Sequence, residues 1–244
     1  MRGGVDEAGR GPVLGPLVVA ACAVPDADLP LLVEAGVRDS KLLSATKRTA
    51  LAAWFSDQKE ARGWRSCTVV IDAEAVDIAL ADDGLNWLEV RGFARAINGL
   101  GLSRDVHLVA DACDVNAQRF THRITDRLNG WPWPNAVMES EHKADNNHPV
   151  VAMASILAKH RRDQAMTAMA ERVGYPIGSG YPSDPATVAA LERLIGPEHI
   201  DPDVRWSWAT VERFWRQRYP GEPPVRGQPH RIQRTLFETD EPRP

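Results

Sequence analysis

The chain of 244 residues is 43% hydrophobic and 25% charged, ordinary proportions for a globular protein in water and enough for one large domain, or a domain with an appendage, to bury a real core. A net charge of −4 gives no global attraction to nucleic acid, so any such binding must come from a local basic face. No apolar run reaches membrane-spanning length, the first strand begins too early for a signal peptide, and three scattered cysteines (Cys22, Cys67, Cys113) argue against a disulfide framework or a zinc site, so a cytosolic protein is expected.

The first strand ends in Val5-Asp6-Glu7-Ala8-Gly9-Arg10-Gly11, two adjacent carboxylates feeding a glycine-flanked arginine. Neighbouring strand residues point to opposite faces, so Asp6 and Glu7 can share a site only where the strand is ending. Gly9 and Gly11 permit close backbone approach, and Arg10 between them can fork onto a phosphate. Carboxylates beside such a turn suggest metal-assisted phosphate chemistry, although a solvated acidic pair and a plain turn are the commoner arrangement.

The continuous apolar run from Leu14 to Val24 reads as a strand covered on both faces, and the short link before it implies an antiparallel hairpin. Residues 25–43 read as irregular and contain Asp39-Ser40-Lys41. Ser44 suits the cap of a helix running to about Asp57, with Leu51, Trp54 and Phe55 on one face. Cys67 to Ile71 reads as a strand, and Asp72 as the cap of a helix through Leu80. From Asn86 to Leu100, Trp87, Val90, Phe93, Ala94 and Ile97 recur at three- and four-residue steps, which is a helix laid on a sheet, with packing the expected role of this segment.

Val106 to Ala110 is a short strand ending in Asp111-Ala112-Cys113-Asp114, and an aspartate at the C-terminal end of a buried strand is where open α/β sheets place their chemistry. Asp111 is therefore the expected third carboxylate. Asp114 competes for that place, but it precedes Val115-Asn116 and suits the cap of a helix reaching Leu128. The Trp131-Pro132-Trp133-Pro134 loop offers rings that either stack on bases or staple the surface. Val137 to Glu141 reads as the last strand, and Asp145, just before a long helix opened by Pro149, is either a fourth carboxylate or a cap. Asp163 reads as the helix-surface partner of Lys159. The glycine-flexed loop from Gly178 to Asp184 carries Tyr181, Pro185 starts the next helix, Gly196 ends it, and a final helix runs through about Arg218. From Pro220 the composition turns to proline, glycine and charge, as in disordered tails.

Several of these segments together resemble ribonuclease HII, the type 2 ribonuclease H, in its archaeal-style branch. The resemblance is carried by Asp6-Glu7-Ala8-Gly9-Arg10-Gly11-Pro12, Asp39-Ser40-Lys41, Lys143-Ala144-Asp145, Pro149-Val150-Val151, Ala154-Ser155-Ile156-Leu157-Ala158-Lys159, and Gly178 to Asp184. It extends from Val5 to about Thr210, with Leu85-Asn86, Glu89-Val90, Val204-Arg205 and Ser207-Trp208 also matching. It implies a ribonuclease H-like α/β fold, a mixed central sheet flanked by helices, with a catalytic domain over 1–200, a C-terminal helical extension over 201–219 and a tail over 220–244.

It further implies that Asp6, Glu7, Asp111 and Asp145 are the catalytic residues and the ligands of a two-metal Mg²⁺ or Mn²⁺ site. Substrate contacts then fall to Gly9, Arg10, Gly11, Lys41, Lys143 and Tyr181. The implied reaction is cleavage of the RNA strand of RNA/DNA hybrids, and 5′ of a ribonucleotide embedded in duplex DNA, by a monomer. In the tail, Gln233, Leu236 and Phe237 resemble part of a sliding-clamp-binding peptide, though Glu238-Thr239-Asp240 stands where further aromatics belong. Two other readings remain at this level. One is an actin- or sugar-kinase-type ATPase, which needs a second glycine-rich phosphate loop that the sequence lacks. The other is a non-catalytic nucleic-acid-binding module.

Overall fold

The computed structural model describes residues 1–226. Five strands, β1 (Arg2–Ala8), β2 (Leu17–Val24), β3 (Arg65–Ile71), β4 (His107–Asp111) and β5 (Val137–Glu141), form one mixed sheet in the order β3-β2-β1-β4-β5. β1 pairs antiparallel with β2 and parallel with β4, so the expected hairpin is present and β1 sits at the centre. β5 continues the parallel half beyond β4. The helices are α1 (Leu29–Glu34), α2 (Ala45–Arg62), α3 (Ala73–Ala81), α4 (Leu85–Asn98), α5 (Ala117–Thr125), α6 (Pro149–Val173), α7 (Pro185–Leu194) and α8 (Ala209–Arg218).

The two faces of the sheet follow from the alternation of side chains along its strands. Val5, Val19, Ala21, Leu108 and Ala110 face α4 and α5, packing on Val90, Phe93, Ile97, Phe120 and Ile124. Cys22, Val24 and Val109 face the other way, onto Leu51, Phe55 and the first turns of α6. Small residues let α6 come very close. A Cβ placed on Gly4 would lie 2.3 Å from the Val150 carbonyl carbon, so only glycine fits there. A third apolar cluster joins Val13 and Leu14 to the end of α6, α7 and α8, which fixes the C-terminal helices beside the Gly9–Gly15 turn.

Several expectations need correction. Strand β2 begins at Leu17 rather than Leu14, which instead makes an isolated bridge to Val204. Helix α2 passes Asp57 and runs to Arg62, because its stop is Gly63 in the left-handed conformation that favours glycine. The stretch 25–43, read as irregular, holds α1 and two 3-10 turns. Asn116, not Asp114, caps α5, accepting the Arg119 N–H at 2.8 Å. Asp163 is more than a surface partner of Lys159, for it also binds Arg48 at 2.7 Å and so ties α6 to α2. Trp133 is buried, and its loop leads into β5 at the sheet end opposite Asp111, so it offers no base-stacking platform beside the carboxylates.

Candidate active site

Asp6 and Glu7 are the last residues but one and two of β1, and the pleat sends them to different faces. Asp6 is buried on the α6 side, where its Oδ1 accepts the Glu7 N–H at 2.7 Å and the Ser155 hydroxyl favours its charged form. Asp111 closes β4 with the same parity as Val109, hence on the face of Asp6, and its Oδ1 accepts the Ala144 N–H at 2.8 Å. Asp145 is buried in the 3-10 turn Ala144–Asn146 that follows β5. Lys41 reaches over from the loop before α2 and sets its Nζ 3.9 Å from Asp145 Oδ2.

The charges of these groups act on one another. Burial raises the Asp6 carboxyl well above its ordinary range, and the charges of Glu7 and Asp111 push it the same way. Asp111 is raised to about 6, first by burial and then by Glu7 and Asp145, against the pull of the Ala144 amide and Lys41. Partial burial works against the charge on Lys41, yet Asp145, Asp39, Asp6 and Asp111 together hold its pKa above the usual lysine value. Clustered hard oxygen donors in excess over one exposed lysine fit a divalent cation of the Mg²⁺ or Mn²⁺ type.

This predicts a pH dependence. A carboxyl raised in the folded state keeps its proton where the unfolded chain has lost it, so Asp111 contributes stability below about pH 4 that is lost as pH rises toward 6. A cation binding the deprotonated carboxylates reverses that trend. Added Mn²⁺ should therefore raise Tm clearly more at pH 8 than at pH 5. Equal increments by scanning calorimetry would contradict the assignment.

The turn that follows Glu7 is fastened from behind. Gly9 has φ +94°, and a Cβ there would lie 2.5 Å from the Pro16 carbonyl oxygen. Arg205, fully buried, donates to the carbonyls of Gly9 (2.6 Å), Arg10 (3.0 Å) and Gly15 (3.1 Å). Trp208 Nε1 donates to Gly11 O at 3.2 Å. Arg162, also buried, donates to Leu14 O and Ser179 O, while the Val13 and Leu14 amides donate to Gly180 O. The loop carrying Tyr181 is thereby docked on the turn, with the half-exposed ring about one van der Waals contact, 3.8 Å, from where a Gly11 Cβ would stand. Asp184 and Thr187 hold that loop's own amides, at Ser179 and Gly180.

Arg10 does not point freely outward. Its Nε lies 2.7 Å from Glu89 Oε1 and its Nη2 donates to Asn86 at 2.8 Å. Lys143 is exposed, in the left-handed conformation immediately before the Asp145 turn. Asp114 is buried among Arg119 and Arg123 and accepts the Asn116 N–H, so its charge is already met and it takes no place in the cluster. The residues Gln233, Leu236 and Phe237 lie outside the described residues.

Three participants escaped the sequence reading. Glu89, expected to pack, is fully buried on α4, and burial followed by the charge of Glu7 lifts its carboxyl to about 8. Cys113 donates its thiol hydrogen to Glu7 Oε2 at 3.1 Å. Arg162 sits on the buried stripe Ala158, Arg162, Met166, Met169 of α6, where a charged residue among apolar neighbours was the available signal. Among the described residues, the three side chains whose ligand atoms lie within 4.8 Å of one another are Glu7, Glu89 and Cys113, only one of them among the four expected carboxylates.

Residues 3–211 match the family model described as Ribonuclease HII. The chain is 43% identical over 213 residues to the ribonuclease HII of Thermococcus kodakarensis, covering 86% of this chain and 88% of that protein. The ribonuclease H2 structure from Pyrococcus horikoshii superposes with a TM-score of 0.77 at 32% identity, covering 88% of this chain and 97% of that one. The structure of the PCNA:RNase HII complex from Archaeoglobus fulgidus gives 0.73 at 33% identity, covering 87% and 96%. The fold is the ribonuclease H-like one, and the chain belongs to the ribonuclease HII family of type 2 ribonuclease H hydrolases.

Proposed function

We propose that the chain is a divalent-metal-dependent endonuclease that cuts the RNA strand of RNA/DNA hybrids, and the 5′ side of a ribonucleotide embedded in duplex DNA, leaving 3′-hydroxyl and 5′-phosphate ends. Family membership supports hybrid cleavage in general. The observation that supports the finer reading is that the charges of Asp6, Glu7, Asp111 and Asp145 act on one another beside a turn, Gly9 to Gly11, whose carbonyls are tied inward by Arg205 and Trp208.

A backbone held in that way can approach a ribose closely, and the 2′-hydroxyl is the group that separates RNA from DNA. Tyr181 lies against the turn with an exposed ring, which supports reading it as the residue that stacks on the neighbouring deoxyribose. Lys41 and Lys143 flank Asp145 and supply positive charge for the backbone phosphates. The four carboxylates hold Mg²⁺ or Mn²⁺, and when bound such ions activate a water and stabilise the leaving oxygen of an in-line displacement. Such an enzyme serves ribonucleotide excision and primer removal.

A duplex carrying one ribonucleotide should be cut once, on its 5′ side, with a 3′-hydroxyl on the upstream product. A 2′,3′-cyclic phosphate end, or equal cutting of an all-DNA duplex, would overturn the reading. The Archaeoglobus relative solved with PCNA also supports reading Gln233, Leu236 and Phe237 as a clamp-binding peptide. Calorimetry with a peptide of residues 228–244 should then give saturable binding to a sliding clamp, and flat heats would dismiss it.

A further inference from the structure

The strand pleat that buries Asp6 against α6 turns Glu7 toward α4, into different company. There Glu7 Oε2 lies 3.1 Å from the Cys113 sulfur, and the ligand atoms of Glu7, Glu89 and Cys113 fall within 4.8 Å of one another. Glu89 is 0% exposed. Its Oε1 faces the Arg10 guanidinium, with Nε at 2.7 Å, and its Oε2 has no hydrogen-bond partner. With Oε1 already met by Arg10, it is Oε2 that lies buried without a donor, and a cation shared with Glu7 and Cys113 would give it a partner.

The donor set names the kind of cation. Hard Mg²⁺ has little affinity for sulfur, whereas Zn²⁺ combines thiolate with carboxylate oxygen. Zn–S and Zn–O bonds of about 2.3 and 2.1 Å set tetrahedral ligands about 3.5 Å apart, close to the sulfur–oxygen separation already present. We propose that Glu7, Glu89 and Cys113 form a second cation site, selective for thiophilic divalent ions such as Zn²⁺ over Mg²⁺.

On binding, the sulfur–hydrogen bond of Cys113 is replaced by a sulfur–metal bond and the proton leaves to solvent. Arg10, whose side chain is 42% exposed, swings away from Glu89 to make room. Glu7 is common to this site and to the Asp6 cluster, so Zn²⁺ held here withdraws Glu7 from nucleic-acid cleavage and inhibits it. That consequence rests on the function proposed above, but the site itself does not.

The test is a Co²⁺ titration of the full-length chain after metal removal by a chelator. The expected result is a near-ultraviolet thiolate-to-cobalt charge-transfer band that saturates at one equivalent and is displaced by Zn²⁺ but not by Mg²⁺. Cys113→Ser, which changes one atom, should lose the band while keeping the native circular dichroism. Glu89→Gln should keep the band and weaken Co²⁺ affinity at least about tenfold, as altered metal shells do. No band in the unsubstituted chain, or a band undiminished in Cys113→Ser, overturns the site, since Cys22 or Cys67 would then be its source. Zn²⁺ inhibition of cleavage, each protein being compared with its own zinc-free rate, should fall at least about tenfold in Cys113→Ser. A chain that shows the cobalt band yet cuts no ribonucleotide-bearing duplex keeps the site and sinks only the nuclease reading.

Discussion

Asp6→Asn or Asp111→Asn should cut a ribonucleotide-bearing duplex at about a thousandth of the unsubstituted rate or less, because a preorganised charge aimed at the reacting phosphate is worth about two to three orders of magnitude and each residue also anchors the cation. The same substitutions should leave the metal-free protein as stable as before or more so. Asp6 is held above its ordinary pKa first by burial and then by Glu7 and Asp111, so its charge opposes folding, and an isosteric amide relieves that repulsion. Thermal melts with and without Mn²⁺ then separate the two effects: the unsubstituted chain gains stability from the ion and the variants do not. Cleavage that survives both substitutions would remove Asp6 and Asp111 from the mechanism, whatever the melts show.

The second large effect is expected at a residue that touches no carboxylate of the cluster. Arg205 is buried against the Gly9, Arg10 and Gly15 carbonyls, and burial, with the charge of Arg162 nearby, pushes its pKa down to about 10. Arg205→Met takes the donor from three backbone acceptors, two of them buried, while recovering the desolvation of the cation. The net cost should be about 2–4 kcal/mol, a fall in Tm of about 10 °C. At temperatures where the variant is fully folded, cleavage should still drop about a hundredfold, because a misplaced turn no longer meets the ribose. Arg205→Lys should rescue little, since a single ammonium cannot serve three carbonyls in the plane a guanidinium spans. A variant with unchanged Tm and rate would show that the turn holds its shape unaided.

Much of this was legible from local chemistry. The apolar strand entering Asp6-Glu7, the Ser44 and Asp72 caps and the small-residue start of α6 each follow from a few adjacent residues. The placing of Asp111 at a strand end and of Asp145 just before α6 required only strand periodicity and the family pattern. What stayed hidden depends on partners far apart in the chain. Glu89 reads as one more residue of an amphipathic helix until Arg10 and Cys113 are folded against it. Asp77 shows nothing in sequence of its buried role, accepting from the Trp206 and Ser207 amides and from Arg226, the last described residue of the segment that composition marks as a tail. Asp114 looked like a cap because caps are local, and its arginine partners are visible only once α5 is wound.

The Arg205 grip also has a temporal side. The guanidinium that closes on Arg10 enters the polypeptide 195 residues after it. A chain still threading out of the ribosome, or one ended early by a premature stop, carries every acidic group of the cluster but lacks the brace that shapes the turn. The braced form of the turn is therefore out of reach until residue 205 has been made, long after the residues it shapes.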